Sequence, residues 1–233
     1  AHEHGIPFVA DVNDLWPEAM RMVVNVPVVS DIAFRPFARD AHRVYELLSG
    51  AVGPSDEYAA RPAADREEPY ERVTVYVGNN LAAFDEGVRE NADAVVKPAG
   101  EFWVTYAGTL GASYDLSTLV QAAKLAEPQV SGLRVKILGD GPDRDKLTEL
   151  ASSIGAPVDF LGYTPYDRMA AWLAASDITV NSLVHGAAQS IVTKIGDYLA
   201  AGIPMINTGE SPEFCSKVEA DGFGVNVAPG NAS

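Results

Sequence analysis

Cysteine is nearly absent. Cys215 is the only one among 233 residues, so no disulfide can form within the chain, and a reducing cytoplasm suits it. In a helix expected over 211–221, it reads as a small buried hydrophobe rather than a reactive thiol. Long apolar runs are missing too. None approaches the roughly 20 residues that cross a bilayer, and no signal-peptide pattern is present. Basic residues are scarce: Lys and Arg total 17 against 32 Asp and Glu, a formal net charge of −15. That balance argues against a broad nucleic-acid face and against adsorption to anionic lipid. No nucleophile elbow G-x-S-x-G and no Walker lysine motif occurs. His2, His4 and His42 sit at no metal-ligand spacing with a carboxylate pair, so no metal is assigned. The sequence also lacks an initiator Met and opens on AHEHG, which resembles the end of a helix. A piece of a longer protein is the expectation.

What is present is a regular alternation from Phe102 onward. Apolar strand candidates fall at 102–107, 133–138, 158–161, 178–182, 203–207 and 224–227. Helical patterns lie between them at 115–127, 143–154, 165–175, 188–201 and 211–221. Strands alternating with helices of this length indicate βαβ units and a parallel sheet. Continuous runs such as WVTYA and VKIL fit strands covered on both faces. The expected class is α/β, with a Rossmann-like domain over 99–233 and part of a second one over 1–98. In that first part a strand is expected over 6–12, a helix over 36–51, a short strand and turn at 52–55, and a strand over 73–78. Residues 61–72 read as a solvated loop or frayed helix end. Trp103, Trp172 and Met169 read as core.

Ligands of open α/β sheets bind beyond the carboxyl ends of the strands. The loops there are GTLGASYD (108–115), GDGP (139–142), the Gly162-Tyr163 turn, and the run from Asn181 into a helix expected to open at Gln189-Ser190. Gly108 and Gly111 would let backbone approach a phosphate, and a helix N-terminus favours negative charge. Lys194 and Asp197 stand within about two turns of that expected start. His185 reads as a loop histidine.

The ordered set YAGTLGASYDL, VKILGDGP, FLGY, SDITVNS and KIGDYLAAGIPMIN resembles the donor-binding half of family 4 (group 1) glycosyltransferases of GT-B fold. IPFVADVNDLWPEA resembles a segment in the acceptor-side half of bacterial polysaccharide-assembly members. The resemblance implies a retaining, metal-independent and cofactor-free hexosyl- or N-acetylhexosaminyltransferase of capsule-type polysaccharide synthesis. Its substrates would be a nucleotide-sugar donor, with UDP expected by family habit, and a saccharide or lipid-linked acceptor. It would lie in the cytoplasm, peripheral to the inner face of the membrane.

The family's donor pattern is a pair of glutamates, and its two positions here read Gln189 and Asp197. Asp197 would hold the ribose hydroxyls. Gln189 and His185 would touch the donor sugar. The Arg and Lys of many relatives are replaced around Thr109 and Ser113-Tyr114-Asp115, so charge neutralisation falls on Lys194. Gly108, Gly111, Ser190 and Ile191 would line the diphosphate, Gly162 and Tyr163 the base, with Gly139 also donor-binding, and Asn13 and Asp14 would lie on the acceptor side. Two other readings use the same residues: a GT-B-fold nucleotide-sugar epimerase, and an inactive fragment that self-associates into a homo-oligomer through exposed edges.

Overall fold

The computed structural model describes residues 4–15, 29–187 and 191–233, apart from the side chains at positions 29 and 31. The chain forms two compact units, Ala1–Val77 with Ala188–Ile191 and Gly78–Ala187 with Val192–Ser233. Among the described residues no helix is long and apolar enough to cross a membrane.

The first unit carries a parallel sheet in the order β1 (Val9–Asp11), β2 (Gly50–Gly53), β3 (Glu71–Thr74). With it go helix α1 (Val29–Leu47), the short α2 (Asp56–Ala60) and a 3-10 turn at Arg61–Ala64. Its core joins Val12, Tyr45, Leu48 and Ala51. Three readings of the sequence change here. The helix expected over 36–51 begins upstream and stops at Leu47, with Pro36 inside it rather than at its favoured first turn. Gly50 and Ala51, read as the end of that helix, and Val52 and Gly53, read as a short strand and turn, together form the central strand. Its glycines are needed for close approach, because a Cβ at Gly53 would lie 2.5 Å from the Ala59 amide nitrogen. The strand expected over 73–78 is Glu71–Thr74.

The second unit is a six-stranded parallel sheet in the order β6-β5-β4-β7-β8-β9. The strands are β4 (Phe102–Ala107), β5 (Leu133–Leu138), β6 (Val158–Gly162), β7 (Ile178–Asn181), β8 (Met205–Asn207) and β9 (Gly224–Asn226). Each lies within two residues of its expected range. The helices are α3 (Leu81–Glu90), α4 (Leu116–Ala126), α5 (Arg144–Ile154), α6 (Tyr166–Ala174), α7 (Lys194–Ala201) and α8 (Pro212–Ala220). Their ends follow local chemistry. The Asp115 carboxylate accepts from the Thr118 amide at the start of α4, and Gly155 and Gly202 close α5 and α7 in left-handed conformation. Tyr106, Val120 and Ile137 form the fully buried centre of the core.

Helix α3 has no counterpart in the sequence reading, and residues 78–98, assigned there to the first domain, cluster with the second unit. Gly87 explains its docking: a Cβ there would meet Asp167 backbone of α6 at 2.7 Å. The topology also fixes where a ligand belongs. From β4 the chain steps outward to β5 and β6, then returns to β7 on the other side of β4. Carboxyl ends of strands flanking such a reversal leave a crevice between their loops.

Candidate functional site

At that reversal three glycine loops stack backbone on backbone. Gly108 leaves β4 at φ +150 and its N–H donates to the Leu138 carbonyl at 2.9 Å. Gly139 leaves β5 at φ +133, and its N–H donates to the Gly162 carbonyl at 2.8 Å. A Cβ at Gly139 would fall 1.8 Å from the Gly108 oxygen. No side chain fits there. Gly139→Ala is expected to lower unfolding free energy by about 2 kcal/mol or more, and an unchanged urea midpoint would contradict this packing.

The loops open onto a cleft of 310 Å³ lined by Gly108, Thr109, Gly139, Tyr163, Thr164 and Met169. Met169 is therefore a cleft residue and not simply core. Tyr163 presents an exposed ring, whereas Trp103 is buried against Trp172 with ring centroids 4.9 Å apart. Gly162 turns at φ +74 beside the Arg144 guanidinium. Gly111 lies away from the cleft lining, and a Cβ there would make only ordinary contacts with Thr109 and Pro142.

Lys194 sits at the Gly108 turn. Its Nζ lies 4.1 Å from the Tyr106 ring centroid and 3.9 Å from that of Tyr114, and donates to Tyr106 Oη at 3.0 Å. The Tyr106 O–H in turn donates to the Thr109 carbonyl at 2.8 Å, which leaves the phenol's lone pairs for the lysine. Absence of a side chain at Gly108 makes room, since a Cβ there would be 2.7 Å from Nζ. Among the described residues no carboxylate pairs with this amine. Burial pushes its pKa down to about 7 and pushes both tyrosines up, so the phenols stay neutral.

The helix carrying Lys194 begins at that residue, not at Gln189-Ser190. Gln189 and Ser190 lie outside the described residues, and the run Ile191–Thr193 is not helical. Three consecutive β-branched side chains lose χ1 freedom in a helix, which opposes an earlier start. Asp197, half-buried, accepts from Asn79 Nδ2 at 2.7 Å. His185 is exposed, with Nδ1 2.9 Å from Glu210 Oε1. Glu210 also accepts from the Gly186 amide, which together with His185 holds its carboxyl below the usual range. Asn13 and Asp14 follow β1 in the first unit, both exposed.

The family of the chain is decided by its second unit. A family model described as glycosyl transferases group 1 matches residues 101–233, more than half of the sequence. The chain belongs to this family. No curated protein sequence matches it. Solved structures share its fold at low identity. HepE from Anabaena in complex with UDP aligns at 18% identity with a TM-score of 0.73, covering 97% of this chain and 59% of that one. Sucrose-phosphate synthase from Thermosynechococcus elongatus aligns at 16% identity and 0.67, covering 99% and 57%. An α,α-trehalose 6-phosphate synthase from Burkholderia multivorans aligns at 12% and 0.68, covering 89% and 54%. The chain thus spans little more than half the length of these proteins. HepE has also been seen in complex with UDP-glucose.

As a member of the group 1 glycosyl transferase family the chain is an α/β protein of GT-B type: the alternation of strands and helices implied the class, and the resemblance of its motifs implied the type. Several residues at the site escaped that pattern. Tyr106 looks like any core aromatic in the strand run WVTYA. Asn79 stands 118 positions from Asp197. The departure around Ser113-Tyr114-Asp115 was the available signal for Tyr114.

Proposed function

We propose that this chain binds a UDP-sugar donor and serves transfer of a hexosyl or N-acetylhexosaminyl group to a saccharide or lipid-linked saccharide. The observation that carries the reading is the Lys194 amine, held between two tyrosines beside the cleft where strand order reverses. Uracil would enter the cleft at Gly139 and the Gly162–Thr164 backbone, Asp197 would meet the ribose, and the diphosphate would lie along Gly108 toward Lys194. In this reading Ser190 and Ile191 would line the diphosphate, Gln189 and His185 would stand near the sugar, and Asn13 and Asp14 would serve the acceptor side, whereas Gly111, outside the cleft lining, is no longer assigned to the diphosphate.

Transfer breaks the bond between the anomeric carbon and the β-phosphate oxygen, leaving an oxocarbenium-like sugar and negative charge on that phosphate. An ammonium placed in advance where this charge develops stabilises the transition state more than the ground state. The acceptor oxygen attacks the same face, and its proton passes to the leaving phosphate. Configuration is thereby retained without a protein nucleophile. The reading has Lys194 and backbone donors take the charge with no cofactor, in cell-surface polysaccharide synthesis at the cytoplasmic side of the membrane. The UDP and UDP-glucose complexes of HepE support the choice of donor.

Incubating the chain with UDP-glucose or UDP-N-acetylglucosamine and a panel of saccharides, followed by NMR of the anomeric proton, tests this. Product with the donor's α configuration is expected. A β-linked product would contradict the retaining course, and interconversion of the donor sugar without acceptor would identify an epimerase.

A further inference from the structure

Asp197 does not present a bare carboxylate. Asn79 Nδ2 donates to its Oδ1 at 2.7 Å, and the Tyr166 hydroxyl donates to Asn79 Oδ1 at 3.2 Å. The three side chains form a relay in which the tyrosine O–H orients the amide and the amide orients the acid. The elements that carry them are fixed to one another. Asn80, next to Asn79, caps α3 by accepting from the Ala83 amide at 3.1 Å. Tyr166 is the first residue of α6, against which α3 packs through Gly87, and Asn91 of the α3 C-cap donates to Asp167 at 3.4 Å. Asn79 also lies against α7, where a methyl at Gly196 would stand 3.4 Å from its Cβ.

An ionised carboxylate offers about four acceptor positions. The single Asn79 donor leaves others open, and the tyrosine-anchored amide holds the group in one rotamer, so less freedom is lost when a ligand arrives. We infer that Asn79 and Tyr166 are positioning residues that hold Asp197 for recognition of the 2′- and 3′-hydroxyls of the donor ribose. The inference rests on the assignment of Asp197 to the ribose. It makes selection between ribo- and deoxyribonucleotides depend on the segment that enters α3, far from Asp197 in sequence.

Calorimetry with UDP and with 2′,3′-dideoxy-UDP separates this from a merely structural role, because the ratio of the two affinities isolates the hydroxyls. For the unaltered chain a ratio of roughly 30 or more is expected from two charge-assisted hydrogen bonds. Asp197→Ala should bring the ratio near unity. Asn79→Ala should lower it about tenfold and Tyr166→Phe about threefold, each with dideoxy-UDP affinity unchanged, and Asn79→Ser, which keeps a donor, should recover part of it. Binding of dideoxy-UDP itself reports that each variant is folded. A ratio lost in Asp197→Ala but intact in both Asn79→Ala and Tyr166→Phe would overturn the inference alone. A ratio that Asp197→Ala does not change would overturn the ribose assignment and the inference with it.

Discussion

Lys194→Met should weaken UDP binding by about 2–3 kcal/mol, roughly 30- to 150-fold, when measured by calorimetry at pH 6.5. The size follows from what the amine faces. Its surroundings are two aromatic rings, one phenol and the unsubstituted Gly108 turn. A half-buried ammonium with no carboxylate partner among the described residues is costly to keep charged, so an arriving diphosphate meets a cation that is poorly solvated and strongly attracted to it. Methionine has nearly the same length and fills the space between the tyrosines with apolar surface. Thermal stability should therefore hold or rise while affinity falls. Wild-type affinity in the methionine variant would show that the diphosphate binds elsewhere, and a large drop in melting temperature would show that the lysine's role is structural.

The second large effect concerns pH. Burial brings the Lys194 pKa down to about 7, so the amine is largely neutral at pH 9 in the free protein. Diphosphate binding favours the ammonium and raises its pKa. The direction follows: above pH 7 binding must take up a proton, and affinity falls as pH rises. Between pH 7 and pH 9 the loss should be roughly 50-fold, approaching tenfold per pH unit at the upper end. Tyr106 and Tyr114, which face the amine, and Tyr198 on its own helix are all pushed up by burial and stay neutral across this window. Calorimetry at pH 8.5 in two buffers of different ionisation enthalpy should report uptake of nearly one proton. The methionine variant should show a flat profile. A wild-type affinity independent of pH between 7 and 9 would mean that the lysine carries no diphosphate charge.

Both effects turn on residues that the sequence exposed unequally. The strands of the second unit were legible because each is a continuous apolar run between glycine and polar loops, and a parallel sheet requires that pattern. Gly108, Gly139 and Gly162 could be placed at strand ends for the same reason. The start of α7 was not legible. Gln189-Ser190 resembles a helix opening, and the cost of Ile191, Val192 and Thr193 in a helix emerges only when tertiary packing does not compensate it. Lys194 was found by its charge near a strand end, but its tyrosine neighbours depend on contacts 80 and 88 positions apart. The first unit was harder still. Its middle strand is GAVG, whose small residues look like a turn yet are what close packing against Ala59 and Glu71 requires. Helix α3 lies in a polar, alanine-containing stretch whose partner surface on α6 comes much later in the chain.

The central claim is that the reversal between β4 and β7 holds a nucleoside diphosphate against Lys194. Crystals of the chain grown with UDP test it most directly. The β-phosphate is expected within about 3 Å of Lys194 Nζ, the uracil between Gly139 and Tyr163, and the ribose hydroxyls at the Asp197 carboxylate. A diphosphate bound away from the Gly108 turn, with Lys194 still enclosed by Tyr106 and Tyr114, would contradict it.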